Sequence, residues 1–216
     1  MTTLSRTVVK CARMCNGAAA FSTESAGTKS STLSNGIKVV STAINSPSAT
    51  VGVMVDAGSR NETSSTAGAS LLLKHMAFKS TTSRSDLKLA RDIEAAGLSV
   101  NVEAGREKIL YTASGTLVSA LEGMDALAET IISPKLPHWE VDETVASSVK
   151  YELSQFAKDP QQILMEAIHE ASYGRNTPMG RSFFVHPKLS NTDLRSYMSS
   201  FYTASNMTIV GACGIP

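Results

Sequence analysis

The stretch Gly68-Ala69-Ser70-Leu71-Leu72-Leu73-Lys74-His75-Met76-Ala77-Phe78 holds the most apolar helical run of the 216-residue chain, with two ionisable side chains inside it. From Ala67 to Phe78 the run is almost entirely apolar apart from Lys74 and His75, which predicts a helix buried in the core. An uncompensated charge there is costly. A second, long helix is expected from Pro137, with Val141, Val145, Val149 and Phe156 on an inner stripe that Glu152 also joins. A carboxylate and an ammonium on two core helices call for each other or for a metal. The alternative is a lysine stem that carries its ammonium out to water.

Upstream of this helix the pattern is that of strands. Leu33, the turn pair Asn35-Gly36, and Ile37, Val39 and Val40 predict a hairpin, and Ala49, Val51, Val53 and Val55 alternate as a half-buried strand ended by Gly58. Downstream, Ser85 caps a helix carrying Leu89, Ile93 and Ala96 that Gly97 closes. Residues 98–104 and 109–113 read as strands joined by the turn Gly105-Arg106-Glu107, and Leu117, Leu121, Met124, Ala128 and Ile131 stripe the following helix. Beyond the long helix, Asp159-Pro160 begins another, running through Ile163, Leu164, Ala167 and Ile168 and ending by Gly174. Ser190 and Asp193 form a capping box, and Met207 to Cys213 is a final strand. Strands in hairpins and helices in clusters predict an α+β fold with a largely antiparallel sheet packed against helices.

Composition excludes several classes of protein. Twenty Lys+Arg against nineteen Asp+Glu give a net charge of +1, with 42% apolar and 18% charged residues, so no global basic field exists to grip nucleic acid. No uncharged apolar run approaches the ~20 residues that span a bilayer, and three cysteines make no disulfide framework. The charge is uneven, however. Residues 1–30 hold Arg6, Lys10, Arg13 and Lys29 against Glu24, a local net of +3 that leaves −2 for the rest. At 100° per residue Arg6, Lys10 and Arg13 share one face, opposite Leu4, Val8, Cys11 and Cys15. An amphipathic, arginine-bearing, acid-poor start is the pattern of a mitochondrial transit peptide. The expected organisation is a transit peptide over 1–22, cleaved near Phe21–Ser25, a polar linker over 23–31, and a folded domain over 32–216.

The standard catalytic motifs fail one by one. The sequence has no phosphate-cradling glycine loop and no Gly-x-Ser-x-Gly elbow. His169-Glu170 opens like a metallopeptidase helix, but the position of the second ligand is Tyr173. His138 beside Trp139 reads as a helix-start residue.

The run from Gly68 to Thr81 nevertheless resembles the active-site helix of the pitrilysin-type zinc peptidases, whose signature is His-x-x-Glu-His. Asn35-Gly36, Asp56-Ala57-Gly58-Ser59-Arg60, Ile93 to Gly97, Gly105 to Thr112, Trp139-Glu140-Val141 and Pro160-Gln161 continue the likeness in order, over residues 30–214. Within the family the likeness runs to the alpha-type subunits of mitochondrial processing peptidase and to core protein 2 of ubiquinol–cytochrome c reductase. Carried over position by position, the resemblance puts the first zinc-ligand histidine at Leu71, the catalytic glutamate at Lys74, the second histidine at His75, the distal glutamate ligand at Glu152 and a further active-site glutamate at Val145. A hydrolytic zinc site needs three protein ligands and an open water position. With two ligands left and a cation in place of the base, the resemblance implies no catalytic residue, no bound metal and no cofactor.

It implies, further, one half-unit of a fold that the family repeats in tandem. The expected function is a non-catalytic core subunit on the matrix side of the mitochondrial inner membrane, a peripheral structural part of respiratory complex III. The alternatives are a soluble alpha-type, presequence-binding subunit of the processing peptidase, and an accessory subunit of another mitochondrial complex. Expected partners are a beta-type peptidase or core subunit, a second half-unit chain, or other complex III subunits. A buried Lys74–Glu152 ion pair is expected to replace the metal.

Overall fold

The computed structural model describes residues 27–44 and 46–213, so the expected targeting segment lies outside the described residues. Strands β1 (Thr28–Thr32), β2 (Lys38–Ala43), β3 (Ser48–Val55), β4 (Ser99–Ala104), β5 (Ile109–Thr116) and β6 (Met207–Cys213) form one sheet. Their spatial order is β1-β2-β6-β3-β5-β4. Every pairing is antiparallel except β2 with β6, where Lys38 to Ala43 run alongside Thr208 to Cys213. The protein is therefore α+β with a largely antiparallel sheet.

The first hairpin closes at Asn35-Gly36. Gly36 has φ +92°, which glycine adopts without penalty, and the Asn35 side-chain oxygen accepts the Ile37 N–H at 3.2 Å. The start of this hairpin departs from expectation, because residues 28–31, read as linker, belong to β1. Thr28, Lys29, Ser30 and Ser31 are polar since β1 is an edge strand, paired on one side only, and this composition imitates a linker.

Alternation sets the inner face of the sheet. Val53, Val55, Ile109, Tyr111 and Ala113 point at the helices and join one core with Leu71, Leu72, Leu127, Val141, Val149 and Leu194. The helices are α1 (Ala69–Met76), α2 (Asp86–Ala95), α3 (Ser119–Ile132), α4 (His138–Thr144), α5 (Lys150–Phe156), α6 (Pro160–Tyr173) and α7 (Asn191–Phe201). Among the described residues, no helix is long and apolar enough to cross a membrane. Ser85 caps α2 by accepting the Lys88 N–H, and Ser190 with Asp193 completes the capping box on α7.

Two helices present a different face from the one their apolar residues suggest. In α3, Leu117 just before the helix and Leu121 are exposed, while Ala120, Gly123, Leu127 and Ile131 are buried. The small residues let the helix lie close on the sheet, with a Cβ at Gly123 only 3.1 Å from that of Ala113. In α6, which carries Ile163, Leu164, Ala167 and Ile168, no residue is buried.

Candidate functional site

Helix α1 starts at Gly68, whose φ of +85° turns the chain into the helix. Its first turn contains no acidic residue. Glu62 supplies the missing charge from outside, one carboxylate oxygen accepting the Gly68 N–H and the other the Ser70 N–H, both at 2.8 Å. Burial raises the Glu62 pKa, against the lowering pull of these backbone bonds and of Arg181. Tyr197 from α7 holds the same end: its hydroxyl donates to the Gly58 carbonyl at 3.0 Å and lies 3.3 Å from Ser70 Oγ. Ala69 to Leu73 are fully packed, so the helix is fixed before its last turn emerges with Lys74 and His75.

Opposite that last turn stands the helix carrying Glu152. It is not a uniform helix. Between α4 and α5, Val145–Val149 make one wide π-helical turn. Val141 and Val149 keep the inner stripe buried, but past the wide turn α5 buries no residue. Glu152 is therefore carried along the margin of the core towards the end of α1.

There the two helices meet through three side chains. Lys74 Nζ donates to Glu152 Oε1 at 2.8 Å, and His75 Nε2 lies 2.5 Å from Glu152 Oε2. The expected pair forms, though at the rim rather than in the interior: the Lys74 and Glu152 side chains keep 27% and 22% exposure. The apolar stripe of Val145, Val149 and Phe156 predicts full burial. Both partners instead sit where their helices leave the core. The His75 hydrogen bond, against partial burial and aided by Lys74, pulls the Glu152 pKa from 4.5 to about 2. The carboxylate is thus ionised at any physiological pH, with both oxygens engaged.

The other positions named from the sequence do not add donors. Leu71, one turn before His75, is an apolar side chain with no exposure. Val145 begins the wide turn and lines a cleft with Asp142, Lys150, His186 and Lys188. His138 makes an edge contact with Trp139, and His169 Nδ1 bonds to the Met165 carbonyl of its own helix. Among the described residues, no three His, Cys, Asp or Glu side chains gather where a metal ion could be held.

Two further groups anchor the elements around the site and were not singled out from the sequence. One is Glu62, whose signal is an acid shortly before a helix that lacks one in its first turn. The other is Arg106 in the β4–β5 turn, which donates to Glu166 at 2.6 Å and to the carbonyls of Met179 (3.1 Å) and Arg181 (2.5 Å). Glu166 in turn accepts the Phe183 N–H at 3.0 Å. A lone arginine in a predicted turn carries no local signal of these long-range contacts.

Residues 38–185 match the insulinase family, Peptidase family M16. The chain is 39% identical over 196 residues to the mitochondrial-processing peptidase subunit alpha of Solanum tuberosum, covering 89% of this chain and 38% of that protein. It is 35% identical over 189 residues to the probable subunit alpha-2 of Arabidopsis thaliana, covering 87% of this chain and 38% of that protein. It is also 31% identical over 195 residues to the subunit beta of Neurospora crassa, covering 88% and 40% respectively. The chain thus spans about two fifths of the length of the curated relatives it matches.

A zinc ion of the kind the resembled peptidases use does not fit the residues present. His75 and Glu152 touch directly at 2.5 Å, the second carboxylate oxygen is taken by an ammonium, and the remaining ligand position is the hydrocarbon of Leu71. A cation placed there would meet two donors and the positive charge of Lys74.

Proposed function

The chain belongs to the insulinase family, Peptidase family M16, and from that premise we propose that it is a non-catalytic, alpha-type processing-peptidase subunit of mitochondria. The observation that carries this reading is the Lys74 ammonium seated on Glu152. A peptidase of this type needs a base beside a metal-bound water, and a lysine in ion pairing can neither take up a proton nor share a carboxylate with zinc. Leu71, Lys74 and Val145 are, in this proposal, former zinc-centre positions, while His75 and Glu152 are retained ligand types serving as structure.

A subunit without chemistry of its own acts through a partner. The partner proposed is a beta-type peptidase subunit, which supplies the catalytic centre while this chain contributes folded surface. The chain works in the mitochondrial matrix or on the matrix side of the inner membrane. The alpha-type likeness in the Solanum and Arabidopsis relatives supports this assembly. Docking on respiratory complex III, as a core subunit, rests on the resemblance of the sequence alone.

Native mass spectrometry of the assembly purified through this chain tests the reading. A soluble beta-type subunit in the complex is the expected result. Recovery of cytochromes b and c1 instead would make it a complex III core subunit, and recovery with neither would point to another mitochondrial complex. A chelator-sensitive peptidase activity in the pure chain would overturn the non-catalytic assignment.

A further inference from the structure

Helix α6 is amphipathic in the wrong sense for a helix packed on its own domain. Its polar side faces inward: Glu166 is held by Arg106 and by the Phe183 N–H, and its ion pair is the most enclosed among the described residues, at 12% and 17% exposure. At 100° per residue, Leu164, Ala167, Ile168 and Ala171 fall within one arc on the opposite side. Leu164 is 60% and Ile168 47% exposed. An apolar stripe held outward by a largely enclosed polar anchor is a surface built to be covered.

We propose that α6 pairs antiparallel with the α6 of a second copy of this chain. The stripe is self-complementary about a two-fold axis between residues 167 and 168. That axis sets Leu164 against the second copy's Ala171, and Ala167 against the second copy's Ile168. Large side chains thereby meet small ones at every step, which allows the close approach that helix packing requires. The same register brings Arg175, 83% exposed past the C-terminal end of α6 and bridged at 3.1 Å to its own Glu170, near the second copy's Asp159, whose Oδ1 accepts the Gln161 and Gln162 N–H groups at the N-terminal end. Antiparallel pairing also places opposite ends of the two helix dipoles side by side. A helix of this length is ~21 Å long and covers less than the ~800 Å² per partner of a standard interface. The dimer is accordingly concentration-dependent rather than permanent. This association is independent of the identity of any peptidase partner.

Sedimentation equilibrium of the full chain tests it. The expected result is a monomer–dimer equilibrium that Ile168→Lys abolishes and Arg175→Glu weakens about threefold, with unchanged circular dichroism in both. Register is read separately by cross-linking, in chains whose native cysteines are replaced by serine. A mixture of Leu164→Cys and Ala171→Cys chains should form the mixed disulfide faster than either variant forms its own. A monomer at all concentrations, a dimer indifferent to Ile168→Lys, or preferential 164-to-164 cross-linking would overturn the proposal. So would a monomer whose binding to a beta-type subunit is what Ile168→Lys destroys.

Discussion

Lys74 and Glu152 lie 78 residues apart in sequence and touch at 2.8 Å, and this contact joins the last turn of α1 to α5. Because His75 occupies the other oxygen of the same carboxylate, one acidic side chain holds two consecutive residues of the facing helix. The pair sits at the rim of the core, so its strength is intermediate between a surface bridge and a buried one.

Breaking that contact from one side should therefore be worse than removing it. Lys74→Met is expected to cost about 1–3 kcal/mol, because the Glu152 carboxylate loses one partner while still partly desolvated. Lys74→Met combined with Glu152→Leu should recover much of the loss. Urea unfolding of the two singles and the double, analysed as a cycle, measures the coupling. Additive losses would mean that the pair contributes nothing.

Acid should weaken the protein through the same carboxylate. Glu152 titrates near 4.5 when unfolded and at about 2 when folded, so the unfolded state binds its proton first as pH falls. The stabilisation is complete above about pH 4.5 and is lost as pH falls towards 2. After allowance for solvent screening it amounts to about 1–2 kcal/mol. Unfolding midpoints measured between pH 2 and 6 should fall less steeply in Glu152→Gln than in the unmodified chain.

Restoring metal ligands separates binding from catalysis. The unmodified chain is expected to hold no stoichiometric zinc after dialysis. Leu71→His with Lys74→Glu supplies the missing donor and removes the ammonium, and it should bind zinc at close to one equivalent by atomic absorption. That variant should still cleave no presequence peptide, since Val145 stands where the resemblance places another active-site glutamate. Stoichiometric zinc in the unmodified chain would defeat the account.

Gly58 offers a test of close backbone approach. A Cβ built there would lie 2.3 Å from the carbonyl carbon and oxygen of Arg106 and 2.4 Å from Glu107 N, all backbone atoms. Gly58→Ala must push the β4–β5 turn away, with Arg106 and its hold on α6, and should cost upwards of ~3 kcal/mol. Gly97→Ala is the comparison: nothing lies within 4 Å, and only the φ of +66° opposes it. About 1–2 kcal/mol is expected there. Thermal melts of the two variants should rank in that order.

Much of this architecture is legible in the sequence because local chemistry agrees with the fold. Asn35-Gly36, Ser85 and Ser190 mark their turn and caps, and the alternation of Val51, Val53 and Val55 shows a strand. The Lys74–Glu152 contact is predictable because Lys74 interrupts an apolar helix and Glu152 interrupts the apolar inner stripe of another. Where reading by apolarity fails, the cause lies outside the segment read. β1 is polar because it is an edge, α3 turns its small residues inward because the sheet is close, and the exposed stripe of α6 follows from an anchor at Arg106, sixty residues before Glu166. The wide turn at Val145–Val149 leaves no trace in the pattern, since Val141 and Val149 remain on the inner side across it.

The place of β6 in the sheet has a kinetic consequence. The last strand of the described chain is inserted between β2 and β3, and it pairs with both along most of its length. Until residues 207–213 arrive, β2 and β3 each present an open edge, and the sheet exists as two separate pieces. Contacts of such long sequence separation slow folding, and unpaired strand edges invite aggregation in the interval. A chain delivered N-terminus first, from a ribosome or through a translocation pore, cannot complete this sheet until residues 207–213 have emerged.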